Sequence, residues 1–140
     1  MRPLFAFLLA VSTAALAQGH DSAQQEPGTV VLKSGVIYTS LKEGTGRSPT
    51  AADKVKVHYR GTLPGGGEFD SSYKRGEPAT FPLNAVIACW TEGVQRMKAG
   101  GKAKLVCPPA TAYGQHGAGR TIPPNATLVF EIELLQVLPQ

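Results

Sequence analysis

Charge is sparse in this sequence, and runs of like charge are absent. Asp, Glu, Lys and Arg make up 17% of the 140 residues, and the formal balance is only +4. A chain without a basic track or an acidic tail has little to offer a nucleic-acid backbone. Cysteine is limited to two positions and histidine to three. His20, His58 and His116 lie far apart and no cysteines stand at a CxxC spacing, so the ligand patterns of zinc sites are missing. No GxSxG elbow, GxxxxGK loop or dinucleotide fingerprint occurs, and Gly65-Gly66-Gly67 has no helix pattern behind it. Any chemistry expected here therefore needs neither a metal nor an activated nucleophile, and no cofactor is implied.

Long apolar runs are equally scarce, with one short exception at the start. Arg2 precedes Leu4-Phe5-Ala6-Phe7-Leu8-Leu9-Ala10-Val11, and a small-residue stretch closes on Ala15-Leu16-Ala17. A membrane-spanning helix needs about 20 apolar residues, and this segment is shorter and broken by Ser12-Thr13. Its layout is that of a secretory signal peptide, residues 1–17, cut after Ala17. No cysteine follows the cut, so no stable membrane anchor is expected once the leader is gone. The expected destination is the periplasm.

Export changes the meaning of the cysteine pair. Cys89 and Cys107 are a candidate disulfide in an oxidising compartment, and otherwise two small buried apolar residues.

Glycine and proline, by contrast, are plentiful, at 16 and 11 residues. They punctuate short extended pieces, as in a turn-rich globular domain. Residues 18–34 read as a flexible N-terminal segment, although Val30-Val31-Leu32 and Val36-Ile37-Tyr38 have the composition of an early strand pair or of one broken strand. From Lys54 the chain alternates, with Val55, Val57 and Tyr59 on one face and Lys56, His58 and Arg60 on the other. That period of two predicts a half-buried antiparallel strand. Glu68-Phe69-Asp70, Ala79 to Pro82, Lys102 to Cys107 and Ala126 to Val137 add further extended segments. Trp90, Val94 and Met97 fall at i, i+4 and i+7 before Gly100-Gly101, which predicts the one helix. Strands around a single amphipathic helix make an α+β domain with a mostly antiparallel sheet. Arg96, Lys98, Lys102 and Lys104 read as a solvated face.

Aromatic residues stand on separate predicted elements, within recognisable surroundings. Val55 to Gly61, Phe69-Asp70-Ser71-Ser72, Val86 to Gly93, Ala112-Tyr113-Gly114 and Ile122 to Phe130 follow one another in an order that resembles the FKBP-type peptidyl-prolyl cis-trans isomerases. The resemblance runs from about Gly35 to Leu138 and places the family domain at residues 35–140. It implies an antiparallel sheet of five or six strands curled around one short α-helix, with a proline-binding hollow between them.

By that resemblance Trp90 floors the hollow, and Tyr59, Phe69, Phe81, Val86, Ile87 and Phe130 wall it. Ile87 would offer its backbone N–H to a substrate carbonyl, Tyr113 its hydroxyl, and Ile122 would lie over the mouth. Asp70 would be held at the edge by Tyr59 and Arg75, its alternative role being a turn cap beside Ser71-Ser72. The implied catalytic set is Asp70, Tyr59, Ile87, Trp90 and Tyr113. Implied partners are proline-containing unfolded or nascent exported polypeptides, with macrolide inhibitors as further ligands. Ala79, where relatives often carry an aromatic, should lower one wall and weaken macrolides. Cys89 replaces the usual glycine before the floor tryptophan. The absence of a long helical extension leads to the expectation of a monomer. A peptide-holding module with little turnover is the competing function.

Overall fold

In the computed structural model, residues 28–139 are described. The expected signal peptide, residues 18–27 of the expected N-terminal segment and Gln140 lie outside them. Seven strands form one antiparallel sheet: β1 (Thr29–Val31), β2 (Ile37–Lys42), β3 (Lys54–Thr62), β4 (Glu68–Ser71), β5 (Ala79–Pro82), β6 (Lys102–Cys107) and β7 (Leu128–Leu138). Their order is β1-β2-β6-β7-β3-β4, and β5 also pairs with β3. Two helices interrupt the strands, α1 (Ser72–Arg75) and α2 (Ala88–Val94). No described helix is long and apolar enough to cross a membrane.

The strand count exceeds the expected five or six because one edge of β3 is shared. Arg60 to Thr62 pair with β4, whereas Lys54 to Val57 pair with β5. Between them the chain leaves the sheet for the single turn of α1. At the opposite end Thr29 to Val31 pair with β2, and Leu32 is buried. The sheet thus takes in Thr29 to Val31, within the segment 18–34 expected to be flexible.

The core follows the period of two. Val55, Val57 and Tyr59 of β3 point inward with Leu128, Phe130, Ile132 and Leu134 of β7 and Ala103, Leu105 and Cys107 of β6. Full burial of each large aliphatic side chain contributes about 1.5–3 kcal/mol. On the outer face Lys102 stands opposite Glu133 and Lys104 opposite Glu131. Opposite charges facing each other across strands favour this register.

Trp90 and Val94 of α2 cover the inner face. The helix can sit close because Gly93 has no side chain: a Cβ there would lie 2.6 Å from Leu105 Cδ2. Met97, placed on the helix by its i+7 spacing, lies beyond the helix end. Its N–H is bonded to Val94 O in a turn at 3.0 Å, and its side chain is buried all the same. The chain must turn here because the loop around Gly44 packs on Lys98 and Ala99, with Gly46 N–H bonded to Ala99 O at 3.0 Å.

Candidate active site

An apolar cleft of about 480 Å³ opens between α2 and the sheet. That size suits a small ligand or a peptide side chain with its flanking backbone. β3 supplies Tyr59, β4 supplies Phe69 and Asp70, β5 supplies Phe81, α2 supplies Trp90 and β7 supplies Phe130. The turn before α2 adds Ala85, Val86 and Ile87, and Tyr113 joins from the loop after β6.

The indole of Trp90 is the centre of an edge-to-face array. Tyr59, Phe81 and Phe130 meet it with ring centroids at 5.2, 5.5 and 5.4 Å and interplanar angles of 86°, 89° and 90°. Phe69 meets Phe130 in the same way, at 5.6 Å and 86°. Such geometry sets the positive ring edge against the negative face and fixes the orientation of each ring. Gly61, between Tyr59 and the end of β3, makes room for it. A Cβ at Gly61 would stand 2.5 Å from Phe69 Cζ and 2.9 Å from Phe130 Cε1.

α2 is held in place through its first half. Thr91 Oγ1 donates to Leu83 O at 2.7 Å, tying the helix to the preceding turn. Trp90 and Thr91 N–H donate to Ile87 O at 3.0 and 3.2 Å. The N–H of Ile87 itself enters no hydrogen bond among the described residues. Cys89, in the first turn of α2, is disulfide-bonded to Cys107 at the end of β6, with their Cα atoms 5.7 Å apart. The bond links the helix that carries the floor residue to the sheet that carries the walls.

The rim holds one ionic group, and it is fully engaged. Asp70 Oδ2 accepts from the Tyr59 hydroxyl at 2.5 Å, and Oδ1 accepts from Arg75 Nη1 at 2.5 Å and Ser71 N–H at 2.9 Å. Arg75 Nη2 also donates to the Tyr59 hydroxyl, at 3.0 Å. Burial works to raise the Asp70 carboxyl, but the hydrogen bonds from Tyr59 and Arg75 outweigh it and hold the group below its ordinary range. Burial, with the Asp70 hydrogen bond, pushes the Tyr59 phenol up.

α1 builds this rim. Ser71 caps it by accepting from Lys74 N–H at 3.2 Å, and Gly76 ends it with φ of 80°. That left-handed conformation favours glycine. Ser72 is buried and accepts from the backbone N–H of Tyr59 at 2.7 Å. One helical turn therefore grips Tyr59 twice, by its backbone through Ser72 and by its phenol through Arg75.

Nine of the expected residues, Tyr59, Phe69, Asp70, Phe81, Val86, Ile87, Trp90, Tyr113 and Phe130, line the cleft. Arg75 stands behind the rim, bonded to Asp70 and Tyr59. Ile122 is not among the residues lining the cleft; it is buried in the hydrophobic cluster that also holds Tyr59, Trp90 and Phe130, and forms a two-way backbone bridge with Ala118, at 2.8 and 3.0 Å. That bridge closes the loop after Tyr113. Ala79 packs against the core and does not line the cleft, whose β5 wall is Phe81. Ala85 lines it as well. A small residue in a 3₁₀ turn carries no periodic signal that could have marked it.

The family model described as FKBP-type peptidyl-prolyl cis-trans isomerase matches residues 45–135. The chain is 57% identical over 113 residues to the FKBP-type peptidyl-prolyl cis-trans isomerase FkpA of Aeromonas hydrophila, covering 81% of this chain and 42% of that protein. It therefore spans less than half the length of this curated relative. The crystal structure of FkpA from Escherichia coli superposes with a TM-score of 0.79 at 47% identity, over 90% of this chain and 59% of the other. The peptidyl-prolyl cis-trans isomerase structure from Pseudomonas syringae gives a TM-score of 0.75 at 42% identity, over 94% of this chain and 99% of the other.

Proposed function

The chain belongs to the FKBP-type peptidyl-prolyl cis-trans isomerases, and from that premise we propose that it accelerates rotation about Xaa-Pro bonds in exported polypeptides. The observation that carries this reading is the cleft floored by Trp90 and walled by aromatic edges, with one carboxylate at its rim already engaged on both oxygens. The barrier to rotation is about 18–20 kcal/mol because the planar amide loses its resonance on twisting. Water hydrogen-bonded to the amide oxygen stabilises the planar, charge-separated form. A dry aromatic cleft removes that water and fits the ring of proline in its rotated geometry.

Each polar group has a place in this scheme. The uncommitted N–H of Ile87 and the exposed hydroxyl of Tyr113 meet substrate carbonyls, the first of them where the amide oxygen turns away from its plane. Asp70 is a positioning group: its negative charge fixes the Tyr59 phenol, and no proton passes through it. Rates should be flat with pH near neutrality. The isomerase matches weigh against a merely peptide-holding role, and the substrates that fit the cleft are proline-containing polypeptides, with macrolides as competing ligands.

The test is a cis-to-trans assay on short Xaa-Pro peptides. The chain should raise the rate well above the uncatalysed one, and Trp90→Leu should lower kcat/KM by about tenfold or more, the equivalent of about 1.4 kcal/mol. Rates at the uncatalysed level from folded protein would overturn the reading. The N-terminal layout supports export to the periplasm with a cut after Ala17, which sequencing of the secreted protein checks by finding Gln18 first.

A further inference from the structure

A second hollow, of about 640 Å³, adjoins the cleft on the far side of Tyr113, the residue common to both. Its floor is Pro108, Pro109 and Ala110, and its margin carries Gln115, His116 and Asn125. The backbone around it is already set. Thr111 N–H and Oγ1 both donate to Pro108 O, at 2.9 and 2.8 Å, and Asn125 N–H donates to Gly114 O at 2.8 Å. The three marginal side chains are exposed, and among the described residues none enters a hydrogen bond. An apolar floor with free donors and acceptors around it matches the needs of an extended polypeptide, which has side chains to bury and backbone amides to satisfy.

We propose that this hollow is an extended subsite for the same substrate chain, taking an apolar or aromatic side chain a few residues from the proline. The inference rests on the proline reading of the first cleft and adds to it a determinant of substrate choice. Continuity gives the occupant. One aromatic side chain separates the two hollows, and an extended chain advances about 3.3 Å per residue. A polypeptide with proline over Trp90 that runs on past Tyr113 thus meets the second hollow with one of its next side chains. Unfolded proteins present proline together with apolar neighbours, which two adjoining hollows can take at once.

The experiment compares a short Xaa-Pro peptide with three longer versions: a phenylalanine-containing extension before the proline, the same extension after it, and a Gly-Ser extension of equal length. One of the phenylalanine peptides should show kcat/KM about tenfold higher than the short peptide, equivalent to about 1.4 kcal/mol, and the Gly-Ser peptide should show no gain. Ala110→Glu, at an exposed position, should abolish the gain and leave the short-peptide rate within about twofold of the parent. Equal kcat/KM for all four peptides, a gain shared by the Gly-Ser peptide, or a gain that survives in Ala110→Glu would overturn the subsite. Failure of the isomerase reading looks different, since then even the short peptide is not accelerated. In that case amide chemical shifts still decide: the phenylalanine peptide should move Ala110, Gln115 and His116 where the short peptide does not, and unmoved amides would refute the proposal.

Discussion

At the residue scale the decisive contacts are those around Tyr59 and Asp70. Tyr59→Phe takes one hydrogen bond from a carboxylate that keeps Arg75 and Ser71, and leaves the ring in its array against Trp90. A hydrogen bond to a charged group contributes about 1.5–3 kcal/mol, and exposure of the Asp70 side chain at 39% reduces what is lost here. The variant should be modestly less stable in urea, with kcat/KM falling more than stability alone explains.

The same carboxylate sets a pH signature. Its folded-state pKa lies below the unfolded value, so its contribution to stability is complete above about pH 5 and disappears as pH falls through the folded pKa. Asp53 and Glu68 shift in the same direction, the first chiefly through the Thr50 N–H and the second through Lys74. Subtracting the urea midpoints of Asp70→Asn from those of the parent chain isolates the Asp70 share. The difference should be level from pH 8 to about 5 and shrink below that; a difference that grows on acidification would reverse the sign argued here.

Much of this scale was open to sequence reading, because the motif Phe69-Asp70-Ser71-Ser72 and the aromatics can be matched by order. What could not be read were partners set by three dimensions. The burial of Ser72 against Tyr59 N–H depends on α1 folding back over β3, and the backbone bridge between Ala118 and Ile122 depends on the loop closing on itself. Neither has a local pattern.

At the scale of elements, alternation revealed the strands directly. β3 and β7 each bury every second residue through most of their length, and that period is written in the sequence. α1 carries no helical period because four residues are too short a stretch for one, and the i+7 spacing predicts a longer α2 than the structure has because Met97 mimics it from beyond the end. The close approaches left no trace beyond the glycines themselves. Gly61→Ala tests one of them. Its methyl would need to displace the Phe69 and Phe130 rings, so KM for Xaa-Pro peptides should rise several-fold while the strand pairing of β3 keeps the protein folded. Unchanged KM together with unchanged stability would mean that the rings yield freely.

The bond between α2 and β6 acts on the same scale. Closing the loop from Cys89 to Cys107 stabilises by about 3 kcal/mol on the loop-entropy account for 18 residues of separation. Reduction should lower the urea midpoint accordingly, and thiol titration of the unfolded, unreduced protein should find no free thiol. Both cysteines are fully buried, so the native protein should react with reductant only slowly.

For the whole molecule, the order of strands separates stability from catalysis. β1 lies at one end of the sheet, with β2, β6 and β7 between it and β3, where the cleft begins. The alternation of residues could not disclose that order, since it says which face a residue takes and nothing of which strand lies beside which. Yet the order has a consequence for the N-terminal segment. A chain starting at Gly35 loses β1, its pairing with β2, the Gly28 O to Ser40 N–H bond and the buried side chain of Leu32. Loss of a buried leucine alone costs about 2–5 kcal/mol in large-to-small substitutions. Compared with a chain starting at Gln18, the shortened protein should unfold at a markedly lower urea concentration. Below that concentration its kcat/KM on short Xaa-Pro peptides should stay within about twofold, because every residue of the aromatic array and the Asp70 rim is retained. A truncated protein that is equally stable would show that the first strand adds nothing to the domain, and one that is stable but inactive would place β1 in the machinery of the cleft.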